Sequence, residues 1–129
     1  MAHPNEELFR KGYEAFQKAD MESLGTLFTE DTVWHTPGNN MIAGDYKGKE
    51  QVFGLFAKLA QETEGSFQIE LHDLLANDEH GVALFTTRAN RGDKHLESNG
   101  VHVAHFRDGK LAESWLHSVD QNSVDEFWS

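Results

Sequence analysis

The chain has 129 residues, 22 of them acidic against 11 basic, giving a formal net charge of −11 at neutral pH. That length suits one domain with a real hydrophobic core, and so negative a chain repels phosphate backbones and anionic lipid, which argues against nucleic-acid and membrane partners. The absence of cysteine excludes disulfides, thiolate catalysis and cysteine-ligated zinc, and with no apolar run near the roughly 20 residues of a membrane-spanning helix and no basic-then-apolar leader pattern, a cytoplasmic location is expected.

Pro4-Asn5-Glu6-Glu7 reads as a helix start, with Asn5 as its cap and the two glutamates suited to the positive helix end. Leu8, Phe9, Tyr13, Phe16 and Ala19 then recur at helical spacing. Asp20 is placed to cap a shorter second helix that buries Met21, Leu24, Leu27 and Phe28. Thr32-Val33-Trp34-His35-Thr36 is β-branched and aromatic and stops at Pro37-Gly38, which reads as a strand and a turn. Gly38, Gly44 and Gly48 punctuate the loop that follows, and they shape it rather than bind phosphate, since no Walker or dinucleotide pattern is present. A third helix is predicted from about Lys49 to Thr63, burying Val52, Phe53, Phe56, Leu59 and Ala60.

From Ser66 the period changes to two. Phe67, Ile69 and Leu71 alternate with polar residues, and Asn77-Asp78-Glu79-His80-Gly81 is a turn cluster. Further strands are predicted over Val82 to Asn90, His95 to Arg107 and Lys110 to Val119, the last two joined by the hairpin signal Asp108-Gly109. Asn122 or Ser123 would cap a final helical turn. Helices first and strands afterwards argue for an α+β fold: a curved antiparallel sheet wrapped around N-terminal helices, a cone-shaped barrel with a central pocket, occupying residues 1–129 as one domain. Such a pocket is the default site for a small ligand.

Three stretches, YEAFQKADMESLGTLFTEDTVWHTPG, AGDYKG and HFRDGKLAESWLHSVDQ, resemble the SnoaL-like proteins of the nuclear transport factor two-like superfamily, which also holds ketosteroid isomerases and limonene epoxide hydrolase. The resemblance implies the cone-shaped fold and homodimers. It does not imply steroid isomerisation, because Thr36 stands where those isomerases carry their general-base aspartate and Ala104 where they carry the second acid, while Tyr13 lies about one residue from their tyrosine. SnoaL-type cyclases place an acid/base aspartate near the end of the last strand, which here is Asp120. Arg88 and Asp120 are partial counterparts of the arginine–aspartate network of the epoxide hydrolase.

With Ala104 facing the pocket, as the resemblance implies, strand alternation turns His102 and Phe106 inward and Val101, Val103 and His105 outward. Ser114, Leu116, Ser118 and Asp120 share one face of the last strand; Glu113, Trp115 and His117 share the other. Leu84, Thr86 and Arg88 share a face of their strand. The expected catalytic set is therefore His102 and Asp120 as acid/base groups, with Arg88 or Tyr13 stabilising an oxyanion. Tyr13, Trp34, His35, Thr36, Tyr46, Phe56, Phe106 and Leu116 are expected to bind the ligand, with His35 better suited to a structural hydrogen bond than to catalysis. His102 and His105, three apart in a strand, point to opposite faces and no HExxH occurs, so neither a metal nor a cofactor is expected.

These residues point to a cofactor-independent isomerase, cyclase or hydrolase acting by acid/base chemistry on a small hydrophobic carbonyl or cyclic compound. The alternative is a non-catalytic ligand-binding or dimerisation domain. The aromatic and imidazole-rich outer face of Val101, Val103, His105, Trp115 and His117 is the expected homodimer surface.

Overall fold

The computed structural model describes residues 3–129. Helix α1 (Pro4–Gln17) and the short α2 (Met21–Thr26) lead into strand β1 (Phe28–Thr36), then β2 (Gly44–Lys47), helix α3 (Lys49–Glu62), strands β3 (Gln68–Ala76), β4 (His80–Arg91), β5 (Lys94–Arg107) and β6 (Lys110–Ser118), and helix α4 (Gln121–Phe127). The strands form one curved, unclosed sheet in the order β2-β1-β6-β5-β4-β3. The α+β architecture with helices against the curved sheet is the one the sequence implies. Among the described residues no helix is long and apolar enough to cross a membrane.

Several details differ from the sequence reading. The sheet is not wholly antiparallel, because β1 runs parallel to β6. Phe28, read as the end of α2, instead opens β1, where it is almost completely buried. Strand β2 falls inside the glycine-punctuated loop, with Trp34 opposite Tyr46 and Thr36 opposite Gly44. The cap of α1 is the His3 ring, whose Nδ1 accepts from the Asn5 amide, rather than Asn5. Asp20 caps α2 through Ser23 as expected.

Two β-bulges set which side chains enter the core. In β3 the register against β4 shifts between Leu71 and Asp73, so the inward set changes from Ile69 and Leu71 to Leu74. In β6 the shift between His105 and Phe106 of its partner lets Leu111 and Ser114, three residues apart, both point inward. The core then runs from Phe9, Phe28, Val52 and Leu74 to Trp128, each at most 2% exposed. Trp128 reaches it because α4 is folded back over the sheet. The Arg91 guanidinium donates to the carbonyls of Phe127 and Ser129 and the Lys94 ammonium to that of Glu126, so both cations sit at the negative end of α4.

Candidate functional site

Between the inner face of the sheet and helices α1, α3 and α4 lies a cavity of about 150 Å³. Its walls are overwhelmingly apolar: Phe9, Phe16, Phe56, Phe67, Phe85 and Trp128 are among them. A cavity of this order lined mainly by aliphatic and aromatic groups accepts a benzene-sized guest. Among the described residues no aspartate, glutamate, lysine or arginine lines it.

The polar groups of the lining are Thr36, Thr87, Ser98, Ser118, the hydrogen-bonded pair Tyr13 and His102, and His117, which strand alternation assigns to the outer face but which reaches the lining at the end of β6. Position 102 falls on the inward phase of β5, and position 13 on the inward face of α1, so that the Tyr13 hydroxyl meets His102 Nδ1 at 2.8 Å. Phe9 lies edge-on to the imidazole at 4.8 Å between centroids and Trp34 lies 4.9 Å away. Burial among these rings pulls the His102 pKa down to about 3 and pushes the Tyr13 phenol up, so both groups are neutral at physiological pH. His102 Nε2 is buried and has no hydrogen-bond partner.

Counting donors fixes the tautomer. If the Tyr13 hydroxyl donates to Nδ1, one group, Nε2–H, is left unpaired. If Nδ1–H donates to the tyrosine oxygen, both the phenolic proton and the Nε2 lone pair are left without partners. Each buried unpaired group costs about 1–3 kcal/mol, so the first arrangement prevails and His102 offers an Nε2–H donor. Thr36, at the mouth beside Pro37, lines the same cavity, and its buried Oγ1 also lacks a partner.

Of the residues singled out from the sequence, Tyr13, Trp34, Thr36, Phe56, His102 and Leu116 come together around the cavity. The others do not. Arg88 shares a face with Leu84 and Thr86 as expected, but it is the outer face, because the inward phase of β4 is Gly81, Ala83, Phe85, Thr87 and Ala89; Thr86 is covered on the outer face by its bonds to His72 and Asn99. Its guanidinium pairs with Glu97 at 2.9 Å and Glu70 at 3.5 Å, not with Asp120. Asp120 lies beyond the end of β6, exposed, where its carboxylate caps α4 by accepting from the Ser123 amide and hydroxyl. Those bonds hold its pKa below the usual carboxylate value, the opposite of what a general base requires.

His35 turns to the outer face, between Asp45 on Nδ1 and Glu113 on Nε2, each at 2.6 Å, and stacks on Trp115 at 5.4 Å. Partial burial opposes its charge, but the two carboxylates outweigh that and raise its pKa. It joins β2, β1 and β6 as a structural bridge and does not touch the cavity. The Tyr46 hydroxyl donates to the Ile42 carbonyl, and Phe106 packs edge-on against Phe9 at 5.7 Å, so both are packing residues outside the lining.

The lining also includes groups the sequence reading passed over, chiefly Phe85, Thr87 and Ser98 on the sheet and Val124 and Trp128 from the C-terminal helix. Val82, Ala83, Leu84 and Phe85 are apolar on both phases, so alternation alone could not tell the inner face of β4 from the outer. Trp128 carried only the signal of a large aromatic beside the chain end.

Residues 9–114 match the family described as SnoaL-like domain. An uncharacterized protein of Mycobacterium tuberculosis is 25% identical over 124 residues, which cover 95% of each chain. Among solved structures, Bal32a from a soil-derived mobile gene cassette is 38% identical with a TM-score of 0.96, the match covering 99% of this chain and 98% of that one. A Burkholderia pseudomallei protein of unknown function, described as nuclear transport factor two-like, shares the fold at 19% identity and a TM-score of 0.87, over 98% of both chains.

Proposed function

The chain belongs to the SnoaL-like domain family, and on that premise we propose that it binds a compact, uncharged, ring-bearing molecule through one strong acceptor, a carbonyl or similar oxygen, set on His102 Nε2–H. The observation that carries this reading is the buried, unpartnered Nε2 of an imidazole whose tautomer Tyr13 fixes. A ligand acceptor would relieve that orphan donor, and the apolar walls would supply the rest of the affinity. A charged ligand would be desolvated here with no counter-charge to meet it.

A neutral imidazole can also polarise a carbonyl without taking up a proton, a role with precedent in enzymes. That observation favours a second, catalytic form of the same reading: isomerisation or cyclisation at the polarised carbonyl, without a cofactor. In that form His102 is an electrophile rather than a base, and the proton acceptor is the ligand itself or water, because the lining offers no carboxylate.

A thermal-shift screen of compact aryl ketones, cyclic enones and quinones, each beside its hydrocarbon isostere, tests the binding reading. The carbonyl compound is expected to bind about 0.5–1.5 kcal/mol better than its isostere in the native protein, and His102→Phe should erase that preference. An equal preference in the variant would remove His102 from the site. Mass spectrometry of the recovered ligand then decides between the two forms: an unchanged ligand favours binding, an isomer favours catalysis.

We also propose that the chain pairs with a second copy through the outer face of the sheet. In register, Leu75, Val82, Val103 and Trp115 form one row across β3 to β6, and Leu84 and Val101 begin the next. Leu75, Val82 and Leu84 are 67%, 38% and 45% exposed, an apolar patch of the kind that marks a partner surface. Sedimentation at micromolar concentration is expected to give twice the chain mass of 14.6 kDa, and Val103→Asp should return it to a monomer. A monomeric native protein would contradict the pairing.

A further inference from the structure

A second group of side chains lies on the outer face, unconnected with the cavity. His80 and His105 are directly opposed in the β4–β5 ladder. Their rings stack at 4.8 Å between centroids with 19° between planes. Glu79 precedes His80, and its carbonyl accepts from the Phe106 amide, which ties the turn to the strand beside His105. One ligand atom from each of Glu79, His80 and His105 lies within 4.8 Å of the other two.

These side chains are also uncommitted. His3 is bonded to Asp78, His35 to Asp45 and Glu113, His72 to Thr86, His95 to Asn90 and His102 to Tyr13. Among the described residues the rings of His80 and His105 and the carboxylate of Glu79 have no such partner. Glu79 and His80 are exposed and His105 is half-buried, and the His80–His105 pair lies beyond the Val82–Val103 row of the proposed pairing patch. Two imidazoles and one carboxylate on adjacent backbone positions are a donor set of borderline softness, suited to zinc and its late first-row neighbours rather than to calcium or magnesium.

We propose that Glu79, His80 and His105 form a surface site for a divalent transition metal of the zinc class, with water completing its coordination. Tetrahedral ligands about 2.0–2.1 Å from zinc stand roughly 3.3 Å apart. The three donor atoms, within 4.8 Å of one another, therefore have to draw in by at most about 1.5 Å, a movement that rotamer changes of these side chains supply without disturbing the ladder. The backbone already holds them in place: the His80–His105 pair by the β4–β5 register, Glu79 by its bond to Phe106. Little ordering entropy is then left for binding to overcome.

Untagged protein titrated with zinc chloride against a chromophoric chelator tests the site. The native chain is expected to bind one zinc ion and to melt at a higher temperature when loaded. His80→Ala and His105→Ala should each weaken binding about tenfold or more, equivalent to at least 1.4 kcal/mol, while His95→Ala leaves it unchanged. Circular dichroism of the zinc-free variants checks that each is folded. The absence of a saturable one-to-one site, or native affinity in both the His80 and the His105 variants, overturns the proposal.

Discussion

Truncating Phe9 to alanine is expected to lower the unfolding free energy by about 3–5 kcal/mol. Phe9 is 1% exposed and its ring lies within 6 Å of three others, those of His102, Tyr13 and Phe106. It is the residue through which α1 grips the sheet. The grip depends on Gly81 of β4, where an added Cβ would lie 2.9 Å from the Phe9 ring and 2.8 Å from that of Phe106. With backbone this close on one side and the cavity on the other, the neighbours have little room to collapse into the space left by the ring, so the cost should sit in the upper part of the range for such truncations. Urea denaturation of the two proteins measures it, and a loss below about 1 kcal/mol would contradict this packing. Phe9→Leu, which retains most of the volume, should lose less. Truncation also opens a path for water to His102, so Phe9→Ala should weaken the carbonyl preference predicted for the native cavity.

Much of the fold was legible because long periodic segments dominate it. The alternation of β5 buries the residues its period predicts, and the helical stripes hold for Phe9 and Tyr13 in α1 and for Val52, Phe56 and Leu59 in α3, while Ala19, past the end of α1, and Ala60 are exposed and Leu55 joins the core instead. Ala104 fixed the phase of β5 through the family resemblance, and His102 followed from it. Arg88 was misplaced because β4 is apolar on both faces, so its phase depended on a neighbouring strand. Asp120 was misplaced because the strand period was extended two residues past its end, where the chain is already turning into α4 and a carboxylate serves as a cap. The parallel pairing of β1 with β6 has no local signature at all. It follows from the first long strand of the chain lying beside the last one in space, a long-range pairing that periodicity does not record. The His80–His105 pair has no local signature for a related reason: it exists only across the ladder, and His80 sits in a sequence cluster typical of a turn.

Between pH 6.5 and 4.5 the native protein is expected to lose about 2–3 kcal/mol of stability through His102 alone. In the unfolded chain this imidazole titrates near 6.5; in the folded protein, burial among Phe9, Trp34 and Tyr13 holds it at about 3. Over that interval the unfolded state takes up a proton that the folded state refuses. Stability is therefore complete above the unfolded value and falls by about 1.4 kcal/mol per pH unit as the pH drops toward the folded one. His35 works in the opposite sense. Its raised pKa makes its bridge to Asp45 and Glu113 strongest at low pH and weakens it as the pH rises through that value, so it cannot produce the acid loss. The carboxylates held low by hydrogen bonds, Asp125 to Gln121 and Asn40 and Asp120 to Ser123, contribute only nearer their own unfolded values, below the upper part of this window. Denaturation midpoints at half-unit steps should thus show a slope in the native protein that His102→Phe flattens. An unchanged slope in the variant would mean that His102 is not held neutral. The same property separates the two roles an imidazole could play in the cavity. A general base with an ordinary pKa would gain and lose function around pH 6.5. A donor that stays neutral from pH 5 to 8 predicts ligand affinity, and turnover where a ligand is turned over, that do not change across that range.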